Sequence, residues 1–417
     1  MIDSSQGFAT DVESITGNWP ANPENWSYSS LKTAERCPLQ WALTRASYPE
    51  IWAGAGYPPR PSPGALFGEI AHASLETVIR ALESGGCESV RDDAAIGILK
   101  GLGGFTSVAN SQISKRLQSL QENPRATNQI DGLETNLRAR LPELRQIIQA
   151  MVTRVNLHAA ARRTQSHILS ARTDDISAGT RSGTLLEGSH PEVTLRAGAL
   201  RAVGRVDLIN VLEDGVELVD YKTGIEDDSH AEQLRSYALL WARDKRRNPS
   251  GDGPTTLTLT YSSHDVDVTT PTPQELDSLE IEWKARIIRV EDRIRYQPPP
   301  AVIDPEHCPT CPVRQMCRAY WERAVLSPSE VPDGQWFDYE GKAVGQIGAR
   351  SWLFSGQDDR TPDLILRTGS DSSKFELNRS IRLLTILRSS DPDTGFPLGS
   401  FSRRSEIYHL TASDQVD

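Results

Sequence analysis

Residues 204–224 read GRVDLINVLEDGVELVDYKTG, two runs of alternating apolar and polar positions about a central Asp214-Gly215. Alternation with period two predicts two strands, and Asp-Gly predicts a tight two-residue turn of positive φ between them. In the register that this turn sets, Glu213 faces Val216, Ile209 faces Asp220 and Asp207 faces Lys222. Asp207, Asp220 and Lys222 then share one face of the hairpin. Two carboxylates and an ammonium on an otherwise apolar surface are costly to bury, and a divalent cation between the acids would offset that cost. The inference depends on register, because a loop one residue longer turns one strand over.

The same patterning sorts the rest of the chain. A helix entered through Trp26-Ser27-Tyr28, with Ser29 or Ser30 as N-cap, carries Leu31, Ala34, Leu39, Ala42 and Leu43 near one face. It holds Cys37 in its interior, just before Pro38. A Pro/Gly loop over 53–64 precedes a long helix from about 65 to 83, with Gly68 and His72 one turn apart on one side. Residues 88–172 read as helices, with a long amphipathic run over 133–157. Residues 173–191 are a polar linker that enters the sheet. Strand candidates follow at 185–187 and 193–195, where Glu187 or Glu192 could add a carboxylate. Beyond the hairpin, a helix sets Gln233 and Tyr237 one turn apart beside an apolar stripe of Leu234, Ala238 and Trp241. Residues 255–261 alternate as a strand, with 266–269 as its partner. Thr272-Pro273-Gln274-Glu275 is a capping-box start for a helix that reaches about Tyr296, where Pro298-Pro299-Pro300 ends it. From 330 onward the runs shorten to 344–354, 363–368, 379–387 and 400–410, separated by Gly, Asp and Ser. This predicts a small β-barrel of OB type. Such a barrel suits single-stranded nucleic acid, and equally suits packing on the core or on a partner.

The chain has 417 residues, 37% hydrophobic and 24% charged, the make-up of a soluble globular protein of two or three units. No run approaches the ~20 apolar residues of a membrane span. The N-terminal MIDSSQGFATDVESITG lacks the basic start and apolar stretch of a signal peptide. A flexible segment over 1–26 and a reducing, cytoplasmic setting are the expectation. The net charge of −11 argues against indiscriminate binding to nucleic acid. Residues 115–172 nevertheless hold ten Lys/Arg against four Asp/Glu. That stretch is either a helical patch able to hold a phosphate backbone or a solvated face. Of five cysteines, three fall in Cys308-Pro-Thr-Cys311-Pro-Val-Arg-Gln-Met-Cys317. In an intracellular chain this spacing marks a metal or cluster loop, for which Cys37 or Cys87 could supply a fourth ligand. Cys87 has nothing cysteine-specific around it.

Taken in order, these pieces resemble the PD-(D/E)xK nuclease superfamily. Within it they are similar to the RecB-like nucleases that carry an iron–sulfur cluster, such as the AddB group and those of CRISPR adaptation. Gly68 to His72 resembles the GxxxH motif, Asp207 in Gly-Arg-Val-Asp the first acidic motif, and Asp220-Tyr221-Lys222 the (D/E)xK motif. Gln233 to Tyr237 resembles QxxxY. Cys37 with Cys308, Cys311 and Cys317 resembles a split four-cysteine signature. The resemblance spans about 27–325; an insertion over about 88–172 and a β-module over 330–417 lie outside the pattern.

The resemblance implies an α/β fold of restriction-endonuclease type, a mixed central β-sheet flanked by helices. It implies Mg²⁺ or Mn²⁺ held by Asp207, Asp220, the main-chain carbonyl of Tyr221 and His72. Lys222 would orient the attacking water or stabilise the transition state, and Gln233 and Tyr237 would contact phosphate or hold Lys222. The four cysteines would bind [4Fe–4S], with Zn²⁺ the alternative in the same thiolates. The function implied is a metal-dependent DNA nuclease acting on single strands or ends in repair, recombination or defence against foreign DNA. The competing class is a non-catalytic, nucleic-acid-binding iron–sulfur subunit that positions a helicase or integrase. The sequence has no GxxxxGK[ST] loop, so any motor would come from another chain.

Overall fold

The computed structural model describes residues 19–49, 51–127, 129–155, 157, 183–356, 361–369, 375–390 and 395–410. Residues 1–18 of the expected N-terminal segment, 158–172 of the expected insertion and 173–182 of the expected linker lie outside them.

The first helical stretch is two helices, α1 (Tyr28–Arg36) and α2 (Pro38–Leu43). Proline disfavours helical backbone in the residue before it, and Cys37 accordingly takes φ −153°, ψ 105°. Cys37 is therefore a junction and not a helix-interior residue. Its amide donates to the Thr33 carbonyl at 3.0 Å, and its sulfur accepts from the Gln40 amide at 3.4 Å. The N-cap of α1 is Ser27, one turn ahead of the Ser30 amide that its Oγ accepts, and not Ser29 or Ser30.

Helix α3 (Pro63–Ser84) is followed by α4 (Asp93–Gly101), α5 (Gly104–Leu120), α6 (Ile130–Ala139) and α7 (Leu141–Val152). Their apolar stripes meet in one core through Ile70, Ile79, Ile113, Leu137, Leu144 and Ile148. The run expected over 133–157 breaks at Arg140, because Pro142 fits the first turn of a helix but not its interior. Among the described residues of this lobe, most basic side chains are paired off. Arg116, Arg138, Arg140 and Arg154 meet Glu69, Glu134, Glu143 and Asp265.

The central sheet runs β1 (Gly188–Ala197), β2 (Ala202–Leu212), β3 (Gly215–Lys222), β4 (Thr256–Tyr261) and β5 (Asp265–Val268), in that order. Only β3 and β4 are parallel, since α8 (Asp228–Arg243) makes the crossover between them. With α9 (Pro273–Ile294), α8 covers one face through Leu234, Trp241 and Trp283. Helix α3 reaches the other face at Leu208, Val219 and Tyr221. The capping box of α9 is present: the Thr272 hydroxyl accepts the Glu275 amide at 3.3 Å, and the Glu275 carboxylate accepts the Thr272 amide at 2.8 Å.

The central hairpin forms in a different register from the one its Asp-Gly predicts. Leu212 pairs with Gly215 and Leu208 with Val219, so the turn residues are Glu213-Asp214. Gly215 belongs to the strand because Thr255 packs on it: a Cβ there would stand 2.3 Å from the Thr255 methyl. The slip is two residues, and an even slip keeps every side chain on its face.

A second departure sits at Asp207. Val206 packs with Leu218 and Leu259 on the α8 side, whereas Leu208 packs with Val219 and Tyr221 on the α3 side. Residues two apart share a face in an undistorted strand, so β2 turns over at Asp207. The only gap in the β1–β2 register is at this point, opposite Glu192, which takes a left-handed φ of 55°.

After α10 (Arg318–Arg323) come β6 (Trp336–Gly348), β7 (Ser351–Gly356), β8 (Leu364–Arg367), β9 (Ser380–Ser389), β10 (Leu398–Ser400) and β11 (Glu406–His409). The run expected over 344–354 straddles the β6–β7 hairpin. Strand β10 pairs with β8 in parallel and with β9 antiparallel, which closes the ring β6-β7-β8-β10-β9. That closed five-strand Greek-key order is the OB architecture, with β11 added outside β9. Phe337, Phe354, Leu366 and Ile386 fill it. Arg125, on the α5–α6 connection, fastens the barrel with paired hydrogen bonds to Glu406 at 3.0 and 2.8 Å. No described helix is long and apolar enough to cross a membrane.

Candidate active site

The turn-over of β2 opens a gap at the end of its ladder with β3. The Tyr221 amide, which has no strand partner there, donates to Asp207 Oδ2 at 2.7 Å. Asp207 thus reaches the site through the kink, and not through a shared pleat with Asp220. His72 Nδ1 approaches the same oxygen to 3.6 Å from α3. The helix can lie this close because residue 68 is glycine: a Cβ at Gly68 would stand 2.9 Å from Thr223 Oγ1.

On the α8 side, Asp220 is nearly inaccessible. Its Oδ2 is shut off from solvent and receives no well-directed hydrogen bond, although the Lys222 ammonium lies 2.5 Å away. Burial, with the charge of Asp207 behind it, pushes the Asp220 carboxyl up to about 7 despite that ammonium. Lys222 Nζ also donates to Gln233 Oε1 at 3.0 Å, and Gln233 Nε2 donates to Tyr237 Oη at 2.7 Å. Burial lowers the His72 pKa, but Asp207 and Asp220 outweigh it and the net shift is upward.

The structure therefore brings His72, Asp207, Asp220, Tyr221, Lys222, Gln233 and Tyr237 into one connected set. Glu192 joins them and Glu187 does not. Glu192 lines an open groove of about 550 Å³ with His72, Asp207, Glu69, Glu76 and Arg205, whereas Glu187 is exposed. Burial and the neighbouring Asp207 push the Glu192 carboxyl up to about 7, against the pull of Arg205, with which it pairs. Arg205, Glu69 and Glu76 were not among the residues singled out in sequence. Glu69 and Glu76 stand three before and four after His72 on one helix, a spacing that places all three on a common face.

The cysteines also converge. Cys37, Cys308, Cys311 and Cys317 line one small cavity, while Cys87 is buried in the helical core. Two sulfurs already accept backbone amides, Cys37 from Gln40 and Cys308 from Asp304 at 3.3 Å. Burial raises the Cys311 thiol to about 12 and the Cys317 thiol to about 11.

Among the described residues no three His, Cys, Asp or Glu side chains are grouped as a ready-made metal site. Fit to a bound ion is judged instead by donor chemistry. The groove offers carboxylate oxygens and one imidazole, and Asp220 on the α8 side adds a buried oxygen lacking a directed donor, a set that suits Mg²⁺ or Mn²⁺. The cavity offers four sulfurs, which suits a cluster or Zn²⁺.

A family model described as the PD-(D/E)XK nuclease superfamily matches residues 25–318, a span that includes the groove and all four clustered cysteines. No curated protein matches the chain. Among solved structures, the OB domain of a Methanosarcina mazei protein is 16% identical, covering 20% of this chain and 78% of that one, with a TM-score of 0.17. A murine DNA-binding protein bound with double-stranded DNA is 12% identical, covering 55% of this chain and 94% of that one, with a TM-score of 0.18. At such TM-scores neither likeness carries an argument; the barrel is assigned by its strand order.

Proposed function

The chain belongs to the PD-(D/E)XK nuclease superfamily, and from that premise we propose that it hydrolyses phosphodiester bonds in DNA at the Asp207–Asp220–Lys222 site. Members of the superfamily generally use Mg²⁺ or Mn²⁺. Asp207, Asp220, His72 and the Tyr221 carbonyl would hold that ion. Bound there, it supplies positive charge against the scissile phosphate.

The remaining work falls to side chains. Asp207 is fixed by the Tyr221 amide. Lys222, held between Asp220 and Gln233, directs its ammonium toward the phosphate and the attacking water. Its three N–H donors can point at both, so Lys222 orients the water and stabilises the developing charge. Gln233 and Tyr237 position Lys222. The four cysteines would hold [4Fe–4S], or Zn²⁺ in the same thiolates, and so clasp α1–α2 to the loop before α10. The RecB-like iron–sulfur subgroup, action on single strands or ends, and a place in repair, recombination or defence complete the proposal. So does its extent, a nuclease unit over 27–325 with a barrel unit over 330–417.

One observation carries the reading: Asp220 is buried, lacks a directed donor at Oδ2, and stands within reach of a second carboxylate and an ammonium. The test is cleavage of end-labelled single- and double-stranded DNA by the purified chain, with Mg²⁺, with Mn²⁺ and with chelator. Metal-dependent products are expected. Absence of cleavage on every strand with either metal contradicts the proposal.

A further inference from the structure

Beyond Lys222 on the α8 side lies a group of rings that the site as described does not use. Tyr261 ends β4 as the strand partner of Lys222. Its hydroxyl meets His230 Nδ1 at 2.9 Å, and His230 stands three residues before Gln233, on the same face of α8. On Tyr261 rests His264, from the β4–β5 turn, with ring centroids 5.3 Å apart and planes at 12°.

His264 is exposed, yet both of its ring nitrogens are engaged. Nδ1 meets Ser263 Oγ at 2.9 Å, and Nε2 meets Glu226 Oε1 at 2.9 Å. One ring face rests on Tyr261, both polar edges are held, and the side chain is still 44% exposed. An exposed side chain ordinarily samples several rotamers, so this ring is preorganised at no cost to a ligand that stacks on it.

We infer that the outer face of His264 is a stacking platform for one unpaired nucleobase, next to the scissile phosphate on the Lys222 side of the site. This inference rests on the proposed function and narrows its substrate to a strand whose bases are free to stack. A paired base cannot present its face without leaving the duplex, whereas every single-stranded base has a π-face to offer. The contact is to the base and not to phosphate, because the Glu226 carboxylate stands at the edge of the ring and repels a polyanionic backbone. Sequence tolerance follows, since stacking does not read base edges.

The test uses the full chain without divalent metal and two fluorescent oligonucleotides of equal length, one of thymidines and one fully abasic. Anisotropy titrations compare the native chain with His264→Ala and His264→Phe, after thermal melting establishes that both variants fold. His264→Ala should weaken thymidine-strand binding about tenfold and leave abasic-strand binding unchanged. His264→Phe, which has a ring and no charge, should bind the thymidine strand as the native chain does. With Mg²⁺ present, His264→Ala should raise KM on single strands and leave kcat unchanged. Equal weakening on both strands would overturn the platform in favour of a charge contact, and unaltered binding by His264→Ala would overturn it outright. Either result leaves metal-dependent cleavage by the native chain standing, whereas loss of all cleavage by the native chain defeats the nuclease reading itself.

Discussion

The Lys222 ammonium stands 2.5 Å from the Asp220 carboxylate, and even so burial and Asp207 hold that carboxyl up at about 7. A carboxyl raised this far above the usual carboxylate range keeps its proton in the folded chain below about pH 7. Its contribution to stability is full at low pH and is lost as pH rises through about 7. A divalent cation binds the ionised form and reverses the loss. Mg²⁺ should therefore raise Tm more at about pH 8 than at about pH 5. Scanning fluorimetry with and without the ion measures this, and Asp220→Asn should reduce the difference, leaving the part that Glu192 and His72 carry.

Gln233 and Tyr237 act on Lys222 through a relay of 3.0 and 2.7 Å hydrogen bonds. Gln233→Ala frees the ammonium and should lower kcat by about tenfold to a hundredfold, the usual scale for a misplaced catalytic group. Tyr237→Phe removes only the hydroxyl beyond Gln233. It should cost about fivefold, the worth of one ordinary hydrogen bond. Single-turnover kinetics with the DNA strand saturating separates these effects from binding, which both variants should retain.

The cysteine cavity makes a prediction that needs no activity. Chain purified without oxygen should be brown, with absorbance near ~400 nm and iron bound, if the thiols hold a cluster. A colourless preparation with bound zinc would assign the same four sulfurs to Zn²⁺, which has no d–d or redox chemistry to colour it. Cys317→Ser should lose the metal in either case and Cys87→Ser should not, since Cys87 lies in the helical core.

The loop between Cys311 and Cys317 also fastens the barrel. Arg314 Nε and Nη2 donate to the Asp338 carboxylate at 2.5 and 3.2 Å, and the Tyr320 hydroxyl and Thr385 amide donate to it at 2.8 Å each. Asp338→Ala would leave a buried guanidinium without its partner, a loss of roughly 3–5 kcal/mol. Urea titration should find the variant less stable by that order. Arg379→Ala, which removes only an exposed ion pair with Glu376, should move the midpoint little.

Local signals in the sequence found the strands, the long helices and the acidic and lysine residues, because each announces itself within a few positions. Asp214-Gly215 misled because Gly215 is demanded by Thr255, the residue just before β4, and no local pattern reports that contact. The common face drawn for Asp207, Asp220 and Lys222 failed for a related reason. The turn-over of β2 lies opposite a left-handed φ at Glu192 in β1, and nothing in a glutamate side chain announces such a backbone. Cys37 is different: the reading that keeps it inside one helix overlooks a local signal, since Pro38 beside it disfavours helical backbone. Barrel closure through the parallel β8–β10 pair, and the clamp from Arg125 to Glu406, join residues far apart in sequence and left no periodic trace.

The central claim is that Asp220 is part of the catalytic site and not a structural acid. It is tested most directly by comparing Asp220→Ala with the native chain on an end-labelled DNA strand under single-turnover conditions with Mg²⁺, strand binding being measured in parallel. The account predicts that cleavage by Asp220→Ala is abolished while melting and strand binding are kept. Cleavage at the native rate by a folded Asp220→Ala chain would contradict it.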